Sequence, residues 1–345
     1  MKTSQPLVSV IIVNWNGKHW LEDCLPSLSR VTYKHVEWII VDNASTDGSV
    51  EWVRKRYPKT ILLENSENLG YSHANNLGYK KASGDYILFL NNDTKVKPDF
   101  ITELLKPFAK DKEIGGVQSK ILLMDDPSRL DSIGAFLTPT GFLFHNSLGG
   151  LDKPELDREI DLYTAKGASM MFRSDVLKKV EVDGWIFDPD YFAYFEETDL
   201  CHRVWLKGFR IVYAYRAVIY HKMGATSNKL VSSWVQFNSY KNRINSYIKN
   251  FGLLNLVLIL PIHIAVCHVL ALVFLCKGNL PWFTAIEKAV WWNIPRLPKT
   301  LAKRSIVQSQ IRKRPDSAFF AKIMKFPKAE YYTGFLAKFL RIYRP

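Results

Sequence analysis

The chain has 345 residues, of which 47% are hydrophobic, and it carries a formal net charge of +14. This length allows one large domain with an appendage or two domains, and the apolar content is enough for a substantial core. The polar first residues and the short apolar stretch at residues 7–13 do not have the form of a secretory signal. The four cysteines, Cys24, Cys201, Cys267 and Cys276, have no paired spacing. This excludes a zinc framework and indicates reduced thiols in a cytosolic setting.

The positive charge is concentrated in the last fifth of the chain. Residues 277–345 contain 15 Lys and Arg against 3 Asp and Glu, a net of +12, which leaves only +2 for residues 1–276. Such an asymmetry indicates a polyanionic partner, either nucleic acid or anionic lipid.

Short apolar runs alternate with amphipathic stretches through the first 120 residues. The runs predict strands at residues 8–13, 36–41, 60–63, 86–90 and 116–119. Helical spacing predicts helices at residues 18–29, 48–56, 72–82 and 98–109. Beyond an irregular stretch at 120–165, strands are predicted at 164–173 and 209–220, on either side of a helix at 196–207. This alternation predicts an α/β fold with a doubly wound, mainly parallel sheet.

The last part of the chain changes character after a polar helix predicted at residues 232–249. Residues 250–276 contain no charged side chain, and 27 residues can cross a bilayer core of about 30 Å. Trp282, Trp291 and Trp292 follow, and such aromatic residues are typical of membrane interfaces. One crossing from a cytosolic catalytic half would place the basic tail outside, against the positive-inside tendency. A re-entrant or in-plane unit is therefore favoured, with a buried helix of a soluble domain as the alternative.

The sequence Asn91-Asn92-Asp93 directly follows the apolar run at residues 86–90. Side chains just past the carboxyl end of a buried parallel strand project into the crevice where such sheets bind ligands. A lone carboxylate there suits a hard cation that keeps positions free for substrate phosphates. The alternative is an Asx turn that caps the helix starting near Pro98.

Three similar polar turns follow the earlier strands. They are Asn14-Trp15-Asn16-Gly17, Asp42-Asn43-Ala44-Ser45 and Asn68-Leu69-Gly70. Together the four turns offer hydrogen bonds to a base and ribose, a flat aromatic surface at Trp15 and a metal ligand for a diphosphate, although each alone could be ordinary turn chemistry. The chain has neither a Gly-x-Gly-x-x-Gly motif nor a Gly-Lys-Ser/Thr loop, which argues against dinucleotide-binding and P-loop proteins.

Glu196, Glu197 and Asp199 lie within four residues, just after a run of aromatic residues. A carboxylate among aromatic rings has its pKa raised by desolvation, which suits a general base. The alternative is a solvated first helical turn, where acidic residues are favoured. His221 ends a predicted strand and is a candidate metal ligand if the fold returns it near Asp93, and otherwise a structural histidine.

These motifs resemble those of the family 2 (GT-A fold) glycosyltransferases, and most closely the bacterial rhamnosyltransferase-like members that build surface polysaccharides. The resemblance covers about residues 6–225. It implies a GT-A catalytic domain at residues 1–225, a connecting helix at 226–250 and a hydrophobic, basic, membrane-associated helical region at 251–345.

The family implies inverting transfer of a sugar from a nucleoside diphosphate donor, with Mg²⁺ or Mn²⁺ as cofactor. By position, Asp42 and Asn43 would meet the base with Trp15 beside it, and Asn91 would lie near the ribose. The metal ligands would be Asp93 and His221. Glu197 would be the catalytic base, with Glu196 as the alternative. The remaining donor-site residues are Asn14, Asn16, Asn68 and Gly70.

Two positions depart from the family pattern: Asn91 and Glu197 each stand where Asp is commoner. The chain also lacks the Gln-x-x-Arg-Trp motif of processive polymerases. We therefore expect a non-processive enzyme at the cytoplasmic face of the plasma membrane, acting on a polyprenyl-linked glycan. The alternatives are transfer to a polyprenyl monophosphate, a nucleotidyltransferase, or a non-catalytic protein whose basic tail binds membrane or nucleic acid.

Overall fold

The computed structural model of the protein describes residues 5–222 and 232–328. The strands are β1 (Val8–Asn14), β2 (Val36–Asp42), β3 (Ile61–Glu64), β4 (Tyr86–Leu90), β5 (Thr94–Val96), β6 (Ile114–Leu123), β7 (Ala135–Leu137), β8 (Leu143–His145), β9 (Ser169–Arg173) and β10 (Arg210–His221). The helices are α1 (Lys18–Ser29), α2 (Ser49–Arg56), α3 (Gly70–Lys81), α4 (Phe100–Lys110), α5 (Ser174–Lys178), α6 (Glu196–Lys207), α7 (Ser232–Asn250), α8 (Leu253–Cys276), α9 (Leu280–Trp292), α10 (Leu297–Ile306) and α11 (Ser317–Ile323).

Eight strands form one sheet in the order β3-β2-β1-β4-β9-β6-β10-β5. Strands β1 to β4 are parallel to their neighbours among themselves, as are β6 and β10. The first strands are continuously apolar because both faces of the sheet are covered. In β1, for example, Val10 belongs to the core on one face and Ile11 to the core on the other. The expected α/β fold with a mainly parallel sheet is therefore confirmed.

Strand β9 is shorter than predicted, and it has a direction that the sequence pattern left open. The strand predicted at residues 164–173 begins only at Ser169, and it runs antiparallel to both β4 and β6. The chain between β6 and β9 forms β7, β8 and a short 3₁₀ turn at Pro154–Leu156 but no α-helix, so it re-enters the sheet from the edge at which β6 ended. A strand that enters from that edge must run back antiparallel, because a parallel neighbour requires a crossover connection.

The C-terminal helices share a buried polar network with the sheet domain. Asp188 accepts hydrogen bonds from Lys249 on α7 and from Lys303 on α10, the latter at 2.6 Å. Asn250 at the end of α7 donates to Asp199 on α6 at 2.9 Å. The helix predicted to connect two regions is therefore also a packing partner of the sheet domain.

Among the described residues, α8 is the one helix long and apolar enough to cross a membrane, and little of it is buried. The buried helix of a soluble domain, which the sequence left as an alternative, does not match this exposure. Part of the predicted connecting helix, at residues 226–231, and the end of the basic tail, at 329–345, lie outside the described residues.

Candidate active site

A cavity of about 530 Å³ opens at the carboxyl edge of the parallel strands. It gathers residues from both halves of the chain, and nine of the predicted site residues line it. These are Trp15, Asn43, Asn68, Gly70, Asn91, Asp93, Glu196, Glu197 and His221. The turns that follow successive strands thus meet at one edge, as the parallel order requires.

The other three predicted residues, Asn14, Asp42 and Asn16, lie outside the cavity lining and tie the turns together. Asn14 donates through Nδ2 to Asp42 Oδ2 at 2.9 Å and accepts from Nδ2 of Asn92 at 2.8 Å. Asn16 adopts a left-handed conformation with φ of 47° and accepts from the backbone N–H of Thr46 at 2.8 Å. These contacts hold the turns after β1, β2 and β4 in a fixed arrangement below the cavity.

Gly70 permits a close approach between the start of α3 and the loop before α6. Its φ is +79°, and a Cβ on it would lie 2.4 Å from the carbonyl oxygen of Phe192. That carbonyl accepts from the N–H of Tyr71 at 2.7 Å, and the Tyr71 hydroxyl donates to the carbonyl of Gly167 at 3.0 Å. A side chain at position 70 would therefore push apart two walls of the cavity.

Asp93 and His221 face each other because β5 pairs antiparallel with the end of β10. Nε2 of His221 lies 3.4 Å from Oδ1 of Asp93, and Oδ1 is buried without a hydrogen-bond partner. On the other side of the ring, Nδ1 lies 2.6 Å from Oδ2 of Asp131, which is fully buried and also accepts from Lys166. The Asx-turn alternative for Asp93 is wrong, since β5 separates it from α4.

The charges around His221 change its pKa and that of Asp131. Burial disfavours the imidazolium, but the contact with Asp131 and the negative charges of Asp131 and Asp93 outweigh it and raise the pKa of His221 to about 9. For Asp131, burial is likewise outweighed, by His221 and Lys166, and its pKa falls to about 2. Without a cation the ring is therefore protonated at neutral pH between the two carboxylates, and a metal ion bound at Nε2 would have to displace that proton.

The recess at Asp93 and His221 fits a divalent cation supplied together with a diphosphate. An orphaned carboxylate oxygen and an imidazole nitrogen converge on one side of the cavity, and a buried carboxylate orients the imidazole, as in many metal centres. Within residues 5–222 and 232–328, no group of three or more His, Cys, Asp or Glu is placed to hold a metal alone. Asp93 and His221 would therefore leave the remaining coordination positions to substrate oxygens and water.

Glu196 and Glu197, on the first turn of α6, line the same cavity as Asp93 and His221. The two preceding residues, Tyr194 and Phe195, have φ of 72° and 71°, a conformation that bulky residues adopt at a cost of about 1–3 kcal/mol each. Asn242 on α7 holds this turn by donating to the carbonyl oxygens of Ala193 and Tyr194, at 3.0 and 2.6 Å. The strained turn aims the start of α6 into the cavity, and α7 supports it.

Both glutamates are strongly affected by burial. Desolvation and the charge of Glu197 raise the pKa of Glu196 well above its ordinary value. Burial also raises the pKa of Glu197, although a hydrogen bond from Glu196 opposes the rise. The pair therefore keeps a proton on Glu196 and leaves Glu197 as the better base. The solvated helical turn, the alternative for this cluster, is wrong, since only 5% of Glu196 is exposed.

Asp199, the third carboxylate of the cluster, points away from the cavity. It pairs with Arg203 and Lys249 at 3.1 Å each. It therefore belongs to the network that joins α6 to α7.

Several lining residues carried no recognisable signal in the sequence. Lys166 falls in the strand predicted at residues 164–173 but lies in the loop before β9, and Trp234 lies in a helix whose pattern is polar. The Trp234 ring packs edge-on against Phe192, with centroids 5.3 Å apart, and forms part of an aromatic rim. Asp131, which supports His221 from outside the cavity, likewise belongs to no motif.

Comparison with known proteins places this geometry in a family. The model described as "Glycosyl transferase family 2" matches residues 9–180. A putative teichuronic acid biosynthesis glycosyltransferase, TuaG of Bacillus subtilis, is 36% identical over 112 residues, which is 31% of this chain and 43% of TuaG. The matched segment spans less than half the length of each of the first curated relatives.

Solved structures share the fold at low sequence identity. TarS 1–349 of S. aureus superposes with a TM-score of 0.57 at 15% identity, covering 88% of this chain and 90% of that one. The mannosyltransferase PcManGT from Pyrobaculum calidifontis, in complex with GDP-Man and Mn²⁺, gives 0.52 at 17% identity, covering 92% and 88%. These likenesses concern the fold alone.

Proposed function

This chain belongs to glycosyl transferase family 2, and we propose that it transfers a sugar, with inversion, from a nucleoside diphosphate donor to a lipid-linked glycan. The proposal depends on one observation: two pairs of side chains with different chemical roles line the same cavity. Asp93 and His221 form a recess that suits a cation and a diphosphate, and Glu196 and Glu197 supply a buried acid–base pair to the same cavity.

The reaction is a single displacement. The acceptor hydroxyl oxygen attacks the anomeric carbon, the bond from that carbon to the diphosphate oxygen breaks, and the hydroxyl proton passes to Glu197. Attack from the face opposite the leaving group inverts the configuration. Glu196 keeps its proton, so only one of the two neighbouring carboxyl groups is charged, and Glu197 is the one that accepts the proton. General-base assistance of this kind contributes about 10²–10⁴-fold.

The donor would bind along the turns that follow β1 to β4. Asn43 and the flat ring of Trp15 are available to the base, and Asn91 to the ribose. A Mg²⁺ or Mn²⁺ ion held by Asp93 and His221 would, when bound, offset the negative charge that develops on the departing diphosphate. The Mn²⁺ complex of the mannosyltransferase neighbour supports a cation of this kind.

For the sugar, we propose a 6-deoxyhexose such as rhamnose, on the resemblance to rhamnosyltransferase-like enzymes. For the acceptor, we propose a polyprenyl-linked glycan at the cytoplasmic face of the membrane, in surface polysaccharide synthesis. The curated relative TuaG, a putative teichuronic acid enzyme, supports an envelope polymer. The apolar helix α8 and the basic C-terminal fifth support an acceptor held at a membrane.

A donor screen on the detergent-solubilised chain tests this function. We expect release of nucleoside diphosphate from one nucleotide sugar of a panel, dependent on Mn²⁺ or Mg²⁺ and lost in Glu197→Gln. Glu51→Gln, an exposed glutamate on α2, serves as the matched control and should keep full activity. Turnover of no donor with membrane extract present, or release of pyrophosphate from a nucleoside triphosphate and a sugar phosphate, would contradict the proposal. The structure of the product distinguishes the two acceptors. Transfer to a polyprenyl monophosphate would give a lipid with one sugar, whereas transfer to a lipid-linked glycan would lengthen an existing saccharide.

A further inference from the structure

Helix α8 is apolar on all sides, but only one stripe of it is covered by protein. The covered residues recur every three or four positions, which places them on one face of the helix. They are Ile259, His263, Cys267, Ala271 and Phe274. The opposite face carries large aliphatic side chains that are about half exposed or more, namely Leu254, Val257, Leu258, Ile262, Val269, Leu272 and Leu275. We call this second set the α8 outer face.

The covered stripe is anchored to the rest of the protein along the whole helix. At its start, Asn255 donates to Asp316 at 2.8 Å. In the middle, Nδ1 of His263 lies 3.0 Å from the carbonyl oxygen of Thr140, in the turn between β7 and β8. Near its end, the Phe274 ring packs against Trp282 of α9 at 4.7 Å. The helix therefore lies along the catalytic part and does not project from it.

This anchoring argues against a helix that crosses the bilayer. A crossing α8 would carry its neighbours into the hydrocarbon, including the irregular turn at Thr140 and the polar helix α7 with Lys241 and Arg243. Irregular backbone and charged side chains at that depth are strongly disfavoured. A helix lying in the plane of the interface immerses only its outer face and leaves the covered stripe on the protein.

The charge of the chain favours a lipid surface over a second copy of the chain as the partner of the α8 outer face. The segment that begins at Lys277, directly after α8, carries a net charge of +12. Because this segment makes each copy of the chain strongly basic, two copies repel each other, whereas anionic headgroups complement the charge.

We propose that the α8 outer face lies in the plane of an anionic membrane surface and holds the catalytic cavity above it. The inference rests on the proposed function for the acceptor, because a polyprenyl-linked glycan would be presented at that surface. It does not depend on which sugar is transferred.

Vesicle binding of the full chain tests the surface. We expect binding to vesicles of phosphatidylcholine with phosphatidylglycerol, weaker binding to phosphatidylcholine alone, and at least about a tenfold loss in the double variant Leu258→Asp, Leu272→Asp. The matched control is Leu148→Asp with Leu151→Asp, two leucines 46% and 49% exposed on the catalytic part, which should bind as the parent does. Equal loss in both double variants, equal binding to both vesicles, or a change in oligomeric state in place of vesicle binding would overturn the proposal.

Fluorophore depth tests the orientation. With exposed Cys276 replaced by Ser, single cysteines at Leu254, Ala265 and Leu272 carry the label, since the other described cysteines are buried. An in-plane helix predicts equal quenching at all three positions by shallow nitroxide lipids. Deeper quenching at position 265 than at 254 would indicate a crossing helix and overturn the in-plane placement.

Donor turnover in detergent separates this inference from the proposed function. Donor turnover without vesicle binding would contradict the membrane placement of α8 and leave the proposed transferase function intact. Vesicle binding without turnover of any donor would contradict the proposed transferase function and leave the membrane placement of α8 intact.

Discussion

Nδ1 of His221 lies 2.6 Å from Oδ2 of Asp131, and this contact orients the imidazole so that Nε2 faces Asp93. Partners of this kind fix the ring and increase its basicity, and their loss typically weakens metal affinity about 10–100-fold. Asp131 is therefore a positioning residue for the proposed cation site.

We expect Asp131→Asn to raise the Mn²⁺ concentration needed for half-maximal donor turnover by about 10–100-fold. The amide keeps the shape of the side chain but removes the charge that favours the oriented ring. The measurement is an Mn²⁺ titration of donor turnover, with direct Mn²⁺ binding followed by electron paramagnetic resonance. Asp125→Asn, at a carboxylate that is 71% exposed and paired with Lys222, is the control. Unchanged Mn²⁺ binding in Asp131→Asn would contradict the positioning role.

The glutamate pair predicts a difference between two variants at one position. Glu196→Gln keeps a hydrogen-bond donor for Glu197, so the acidic limb of the kcat/KM profile should stay near that of the parent. Glu196→Leu removes the donor that lowers the pKa of Glu197, so this limb should move to higher pH. A pH profile of both variants makes the measurement. Abolished activity in both would identify Glu196 as the base.

The same pair predicts a change in stability. Because the folded protein raises the pKa of Glu196, the folded state binds more protons than the unfolded state above about pH 4.5, and stability falls as pH rises. We therefore expect Glu196→Gln to raise Tm at pH 7 and to change it much less at pH 4. Urea unfolding or calorimetry at the two pH values checks this. An equal effect at both pH values would contradict the linkage.

Gly70 and Gly184 form a matched pair of substitutions. Both have positive φ, of 79° and 75°, so alanine at either position costs about 1–2 kcal/mol in backbone strain. Only at Gly70 would the new Cβ meet another part of the protein, at the Phe192 carbonyl, since nothing lies within 4 Å at Gly184. We expect Gly70→Ala to lose more stability than Gly184→Ala, because the contact with Phe192 adds to the shared backbone strain, and only Gly70→Ala to lose turnover per folded molecule, by at least about tenfold. Full turnover in Gly70→Ala would show that the close approach is not needed.

Substitution of Lys303 measures how much the contact between α10 and the catalytic part contributes to the free energy of unfolding. Lys303 pairs with Asp188 at 2.6 Å, and both side chains are almost fully buried. Lys303→Met leaves buried carboxylates without this partner and should destabilise the protein by about 3–5 kcal/mol in urea unfolding. Lys299→Met removes a cation that is 60% exposed and should cost less than about 1 kcal/mol.

The pH dependence of the Lys303 effect has a definite sign. Burial raises the pKa of Asp188, but the charges of Lys249 and Lys303 outweigh it and lower the pKa. The resulting stability is present above the unfolded value of about 4 and is lost as pH falls below it. The gap between the parent and Lys303→Met should therefore narrow below about pH 4. A difference in unfolding free energy that does not change with pH would mean that Lys303 stabilises the protein by packing and not by its charge.

The sheet edge could be predicted from the sequence because two strong local signals coincide there. Apolar runs such as residues 8–13 and 86–90 predict strands, and parallel order brings the turn after each strand to one edge. Asn43, Asn91 and Asp93 were placed together on this basis.

Asp131 could not be predicted, because the stretch at residues 120–165 has no periodic pattern. Lys166 was placed in a strand, and neither its position at the cavity nor the direction of β9 follows from the apolar run at 164–173. Both depend on how the chain returns from β6 to β9, and that path is set by tertiary packing. Trp234 was missed because a polar helix gives no sign that one of its aromatic residues reaches a cavity.

Because Asn242 on α7 supports the strained turn at Tyr194 and Phe195, α7 and this turn must stay compatible when the sequence changes. The family model ends at residue 180, before that turn, and the supporting helix α7 follows it in the chain. A relative that alters α7 to suit another surface must also alter the loop that aims Glu196 and Glu197. Chimeras that exchange the C-terminal helices alone should therefore fold less well, or turn over more slowly, than chimeras that exchange residues 188–199 together with them.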